Sequence, residues 1–192
     1  MSIMGSGGGG GQTEAQVDAR VVVKTSGIET MFLYPGANRW SLAIAATFTT
    51  INTVVPCLQL AVSGGTYAQA HFAASFPKKW DSGQMRWRMK WACSTADTGT
   101  HSVLLIGHFV AEGVLPAAGG TANMQIDDTP LGTGGLLQLS PWSSWQTIDG
   151  TGDSEKLFVG RIQRQGPSDA GTGNTKIAVV EIQYTTDAPT DD

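Results

Sequence analysis

Residues 84–91, Gln-Met-Arg-Trp-Arg-Met-Lys-Trp, alternate without a slip: Met85, Trp87, Met89 and Trp91 point one way, Arg86, Arg88 and Lys90 the other. A strand repeats its side chains every two residues, whereas a helix would scatter the three cations around its axis. One face of this segment must be buried, and the other wet or set against a partner. The segment commits the chain to a β-rich fold and poses a functional question: what meets three cations in a row.

From residue 30 onward, strand-like runs recur with turn signals between them. Thr30–Tyr34 stops at Pro35-Gly36, and Val54–Val62 stops at Ser63-Gly64-Gly65. Trp40–Phe48 is open between a helix, which its alanines suit, and a strand, which Thr47-Phe48-Thr49-Thr50-Ile51 suits. Tyr67–Phe76 alternates, with Ala68, Ala70, Phe72, Ala74 and Phe76 on one face and Tyr67, Gln69, His71 and Ser75 on the other. Val103–Val110 is nearly continuous apolar sequence, as expected of a strand covered on both faces. Leu136–Leu139, Trp145–Ile148, Lys156–Gln163 and Lys176–Tyr184 complete the series, while the region from Gly119 to Gly135 reads as loop-rich. About eight to ten strands in ~160 residues, with long connections, predict an all-β fold, a jelly-roll-like two-sheet β-sandwich rather than a closed barrel.

Residues 1–29 read as an extended N-terminal arm ahead of a sandwich domain spanning 30–192. Gly-Ser-Gly-Gly-Gly-Gly-Gly at 5–11 is flexible by composition. Thr13-Glu14-Ala15-Gln16 has capping-box spacing and could open a short helix towards Arg20. The expectation is an arm that docks on a neighbouring protein, with Gln16 and Arg20 among its contact residues.

Charged residues make up 15% of the chain, against roughly 25% in an average soluble domain. So little charge fits a surface largely covered by neighbours. A net charge of −4 excludes nucleic-acid binding by bulk electrostatics. The charge is uneven, +2 over residues 1–126 and −6 over 127–192, which could orient identical subunits head to tail. Cys57 and Cys93 are too few for a disulfide scaffold or a zinc site and are expected to be buried free thiols. No apolar run approaches the ~20 residues needed to cross a bilayer, and the start of the chain lacks a signal-peptide pattern. Assembly in a cytoplasm, without a membrane partner, is the expectation.

The sequence offers no catalytic constellation. His71 falls on the polar face of its strand, and His108 sits inside an apolar run where a backbone carbonyl is its expected partner. No Gly-x-Ser-x-Gly turn, His-Glu-x-x-His helix or Cys-x-x-Cys pair occurs. Asp127-Asp128, ahead of Thr129-Pro130, reads as a loop, with cation binding the alternative use of those residue types. The chain is therefore expected to be no enzyme, with no catalytic residues, cofactor or metal.

Binding residues are better candidates. Trp87 and Trp91 belong to the core, and Trp80 is expected to cover an open end of the sandwich. Trp142 and Trp145 flank Ser143-Ser144 in a loop, either as a lid on the core or as a platform for a sugar or a partner protein. The row Arg86, Arg88, Lys90 is either solvated, keeping an exposed strand from edge pairing, or set against an acidic surface. Nucleic acid is the weakest reading, since the tryptophans of the same strand point the opposite way.

Phe76-Pro77-Lys78-Lys79-Trp80-Asp81-Ser82-Gly83, followed by the alternating strand closing on Trp91, resembles a group of bacteriophage virion proteins. The likeness continues at Leu157–Arg164 and at Ile177–Asp187, which ends Tyr184-Thr185-Thr186-Asp187-Ala188. That group often shows a Pro-Lys-x-Trp-x-x-Gly opening and a Tyr-Thr-Thr-Asp-Ala finish. The chain departs from it in lacking a Trp within His101–Val110 and in a longer loop at 165–175. The resemblance implies a non-enzymatic, homotrimeric β domain on the virion, a head decoration or cement protein whose partner is the major capsid protein. A fibre or spike that binds a host receptor or glycan through Trp142 and Trp145 is the alternative. An enzyme such as a glycan hydrolase would need paired carboxylates about 5–10 Å apart in a groove.

Overall fold

The computed structural model describes residues 27–36, 40–43, 45–62, 68–76, 80–110, 122–148, 157–165 and 169–186. Among them the chain forms twelve strands and no helix: β1 (Gly27–Leu33), β2 (Trp40–Leu42), β3 (Ala46–Ile51), β4 (Val55–Leu60), β5 (Gln69–Ser75), β6 (Trp80–Cys93), β7 (His101–Val110), β8 (Ala122–Asp128), β9 (Gln138–Leu139), β10 (Gln146–Thr147), β11 (Leu157–Arg164) and β12 (Thr175–Thr186). They build two antiparallel sheets. The larger has β12 between β6 and the successive partners β4 and β1, with β3 beyond β4 and with β9 and β10 on the outer edge of β6. The smaller runs β2-β5-β11-β7-β8. This is the expected jelly-roll-like sandwich.

The strand at 84–91 does what its alternation requires. Met85, Trp87, Met89 and Trp91 are fully buried between the sheets, against Val103, Leu105, Phe158 and Ile162 from the smaller one. Each such side chain contributes about 1.5–3 kcal/mol of apolar transfer. The indole N–H groups are also used: Trp87 Nε1 donates to Met124 O (2.7 Å) and Trp91 Nε1 to Asp128 Oδ2 (2.8 Å). Trp80 closes one end of the core, stacked on Phe109 with ring centroids 4.4 Å apart and in contact with Phe76.

Two expectations need correction, and one open reading is settled. β1 begins at Gly27, so Gly27–Glu29 belong to the sandwich and not to the arm; Gln16 and Arg20 lie outside the described residues. The ambiguous Trp40–Phe48 is extended on both sides of a break at Ala45, whose φ of 53° is left-handed, and the break sends β2 and β3 to different sheets. Asp127 and Asp128 end a strand, β8, rather than lying in a loop. Met124 and Ile126 point inward there, and Asp127 accepts from the Ser102 hydroxyl and the Gln125 amide.

Two glycines set how closely the aromatic end packs. Gly107 and Gly160 are direct cross-strand partners, and the Phe158 and Phe72 rings occupy the space their missing side chains leave. A methyl on Gly107 would collide with Phe158, and one on Gly160 with Phe72. Elsewhere Asn52 and Thr53 both take positive φ (48° and 62°), as a primed hairpin turn between β3 and β4 demands, with Val54 N donating to Ile51 O. Cys57 and Cys93 are buried and unpaired. Cys57 packs with Ile51, Ala92 and Ala178 outside the larger sheet and Cys93 with the main core inside it, so the two thiols cannot meet.

Gly107→Ala and Gly160→Ala should each lower stability by about 1–3 kcal/mol through overpacking, read as a lower urea midpoint; unchanged midpoints would show that the rings shift freely. β1 is latched by the Tyr184 hydroxyl donating to Glu29 Oε2 (3.0 Å). Burial, then that carboxylate, pushes the Tyr184 phenol up to about 12. Because the folded value lies above the unfolded one, this contribution is complete below about pH 10 and is lost as pH rises towards 12. Absorbance titration should show a late-ionising phenol that Tyr184→Phe removes.

Candidate functional site: a cation and tryptophan face on the larger sheet

Cross-strand register places the outward residues of the larger sheet in rows. Arg86 faces Gln183, which faces Thr30; Arg88 faces Glu181, which faces Phe32. The side chains follow. Arg86 Nε donates to Gln183 Oε1 (2.9 Å) and Arg88 Nε to Glu181 Oε2 (2.6 Å), while Lys90 Nζ lies 3.4 Å from Glu181 Oε1. Glu181 is only 3% exposed, Arg88 27% and Lys90 50%. The cations thus find their acidic partner on the adjacent strand of their own sheet. The Lys90 pair, half in water, contributes at most about 1 kcal/mol.

The expectation that aromatics face away from these cations holds within β6 and fails for the molecule. Residues 138–147 run alongside β6, pairing with it at β9 and β10. Between those bridges two buried serines complete the ladder. Ser140 N donates to Met89 O while Met89 N donates to Ser140 Oγ; Ser143 N donates to Trp87 O while Trp87 N donates to Ser143 Oγ. A hydroxyl here does the work of a peptide carbonyl. The segment can therefore bulge outward without leaving β6 unsatisfied.

What bulges outward is Trp142 and Trp145. The Arg86 guanidinium lies 4.9 Å from the Trp142 ring centroid and 4.6 Å from that of Trp145, and the Arg88 guanidinium lies 4.2 Å from Trp142. These are cation–π distances. Both tryptophans are half-buried on the arginines and form no lid on the core. Five of the seven interaction residues expected from sequence, Arg86, Arg88, Lys90, Trp142 and Trp145, therefore share one face. Ser140, Ser143, Glu181 and Gln183 were missed. Glu181 and Gln183 had a signal, since they alternate with Val180, Ile182 and Tyr184 on a strand that is otherwise apolar.

Exposed apolar side chains flank the face. Phe32 (49% exposed) stands on the β1 side and Leu139 (45%) beside Lys90 on the other. The span from β1 across β12 and β6 to β9 is roughly 15 Å at normal strand spacing. A cleft of about 490 Å³, walled by Phe32, Tyr34, Trp40 and Phe72, opens at the β1 edge. On the smaller sheet a second groove, about 480 Å³, is polar and includes Gln69, Asn123, Gln125 and Arg161.

One further constellation lies away from this face. Cys93, Asp97 and His101 converge inside the fold where β6 passes to β7. His101 Nε2 lies 3.7 Å from Cys93 Sγ and 3.1 Å from Asp97 Oδ2. A Cys–His–Asp relay needs thiol and carboxylate on opposite ring nitrogens. Here both face Nε2, and all three residues are buried, so the cluster is not a nucleophilic triad. Burial followed by the nearby Arg164 charge pushes the His101 imidazole down. Burial would raise the Asp97 carboxyl, but hydrogen bonds from the N–H groups of Gly173, Gly99 and Thr172 and from His101 outweigh it and hold the group well below the usual range.

No family model matches the sequence, and no curated protein is similar to it. Among solved structures, the chain is similar in fold to part of an isomalto-dextranase from Arthrobacter globiformis complexed with panose, at 15% identity and a TM-score of 0.51, covering 80% of this chain and 23% of that one. An arabinose-bound α-L-arabinofuranosidase matches at 12% identity and a TM-score of 0.46, over 80% and 24% of the two chains. A family 11 carbohydrate-binding module from Clostridium thermocellum matches at 10% and 0.37, over 90% and 93%. The chain spans about a quarter of the two enzymes. At such identities the likeness is one of β-sandwich architecture.

If the Arg88–Glu181 pair is coupled as its geometry requires, a double-mutant cycle of Arg88→Ala and Glu181→Ala should give a coupling of about 0.5–3 kcal/mol. Additive losses would show the two side chains to be independent. Ser143→Ala should destabilise the fold by about 1–3 kcal/mol by stranding the Trp87 N–H, with a shift in tryptophan emission.

Proposed function

We propose that this chain is a non-enzymatic structural protein of a bacteriophage particle, a homotrimeric decoration or cement protein that binds the major capsid shell. The observation that carries the reading is the composition and shape of the outer face of the larger sheet. It is broad, held in place by internal hydrogen bonds, and made of Trp142, Trp145, Arg86, Arg88 and Phe32. Tryptophan, phenylalanine and arginine are the residues enriched where proteins bind proteins. The virion context comes from the resemblance of the Phe76–Gly83 opening and the Tyr184–Ala188 finish to phage structural proteins.

On this reading the larger sheet meets the shell, the arm reaches across a joint, and trimer closure covers sheet edges. A contact of this kind needs above ~1,000 Å² of buried surface, more than the platform supplies alone, which is why the arm is assigned a share. A second reading, a fibre or spike component binding a surface glycan, is favoured by one observation, the paired Trp142 and Trp145 on a sheet exterior. An arginine stacked on each ring leaves less aromatic surface for a sugar than a bare platform would.

Light scattering should give three copies per particle of purified protein. Shells stripped of the protein should retain it on sedimentation, and Phe32→Asp or Leu139→Asp should weaken retention about tenfold or more without changing the unfolding midpoint by more than a small surface effect. Removing residues 1–26, which spares β1, should leave the trimer intact and abolish shell binding. A monomer that ignores shells would overturn the cement reading, and a protein that ignores shells while Trp142→Ala/Trp145→Ala substitution abolishes host adsorption would replace it with the fibre one.

A further inference from the structure

We propose that Cys93, Asp97 and His101 are the protein ligands of a structural site for one divalent cation of the zinc class, built into the β6–β7 connection. The three donor atoms form a triangle with edges of 3.7 Å (Sγ to Nε2), 3.1 Å (Nε2 to Oδ2) and 3.9 Å (Sγ to Oδ2), and a point equidistant from them lies about 2.1 Å from each. Zinc bonds to nitrogen, oxygen and sulfur run about 2.0–2.3 Å, so an ion seated just off that plane reaches all three without movement of the chain. The donor set, one thiolate, one imidazole and one carboxylate, suits zinc and leaves a fourth tetrahedral position.

The surroundings match a site of this kind. His101 Nδ1 lies 2.7 Å from Thr175 Oγ1, so with an ion bound an Nδ1–H donated to that hydroxyl would fix the ring and leave the Nε2 lone pair for the metal. Asp97 is held in place by Gly99 N on Oδ1 and by Thr172 N and Gly173 N on Oδ2. The segment carrying those amides is fixed by the buried Arg164, which donates to Gly171 O, Gly173 O and Asp169. Gly171 and Gly173 let that backbone close over the cluster, since a Cβ at Gly173 would strike Cys93 Sγ and one at Gly171 the His101 ring. Binding of an ion would replace the Nε2–Asp97 hydrogen bond and the Sγ–Asp97 contact with three bonds to one buried point, and the donors are already close enough for that exchange. The ion would tie the end of β6 to the start of β7 and, through Asp97, to the segment leading into β12.

The test uses the full chain, freed of metal by chelator and titrated with Co²⁺, then with Zn²⁺. One equivalent of Co²⁺ should raise a thiolate-to-cobalt charge-transfer band, and Zn²⁺ should displace it. Zn²⁺ should also raise the thermal midpoint by several degrees, reversed by EDTA. Cys93→Ser and His101→Gln should lose the band, while Cys57→Ser should keep it. A wild-type chain with neither a sulfur–cobalt band nor a zinc-dependent midpoint would overturn the proposal, and so would a band that survives Cys93→Ser and vanishes in Cys57→Ser.

Discussion

The pairing of β6 with β12 fixes almost everything else. It is the longest ladder among the described residues, and both of its faces are committed. Inside, Met85, Trp87, Met89 and Trp91 meet Tyr184, Ile182, Val180 and Ile177; outside, Arg86 and Arg88 meet Gln183 and Glu181. A slip of one residue would bury guanidinium groups and expose indoles, so the register has no competitor. The sequence of β12 breaks alternation at Ile177-Ala178-Val179-Val180, and the structure absorbs the extra residue as an irregularity between Ile177 and Val179. Alternation resumes with Val180 and Ile182 inside, while Ala178 joins the small cluster around Cys57.

How much of this could be seen in advance follows from the range of each interaction. Patterns that repeat along one strand were legible: the two-sided β6, and β7, where every residue but His108 is buried. β8 was not, because Asp127-Asp128 is locally indistinguishable from a turn. Only the partners, Ser102 and Gln125 for one carboxylate and Trp91 and Gln138 for the other, explain acids at the end of a strand. The platform was half legible. Its cations and its tryptophans were each found, but their meeting depends on the register of residues 138–147 beside β6, set by Ser140 and Ser143. Nothing within Ser-Pro-Trp-Ser-Ser-Trp announces a partner more than fifty positions earlier. Cys93, Asp97 and His101 recur every four residues, a spacing that means nothing on a strand. It became a cluster only because the chain turns between β6 and β7.

The two sheets divide the remaining work. The smaller one turns amides and Arg161 outward over Leu104 and Ile106, which remain only 6% exposed. That arrangement solvates a sheet while keeping its apolar layer dry. The larger sheet instead presents large apolar side chains among its charges, with Ile28 57% and Phe32 49% exposed on β1. A surface that merely keeps a domain in water has no use for such residues at that exposure.

Within the cation row the choice of residue tracks the cover. The two positions beneath tryptophans are arginine, whose planar guanidinium can stack on a ring while its Nε–H donates to a neighbour, and both do so. The position without a tryptophan above it is Lys90, beside exposed Leu139. Lysine there keeps half its contact with water while its ammonium reaches Glu181. Because each arginine is held both by a neighbouring side chain and by a ring, most of the platform has already lost the side-chain freedom that association normally removes, about 0.5–1.5 kcal/mol for each long side chain. A face ordered in this way by its own sheet is poised for a partner that makes many modest contacts, and the rigidity follows from the same β6–β12 register that builds the core beneath it.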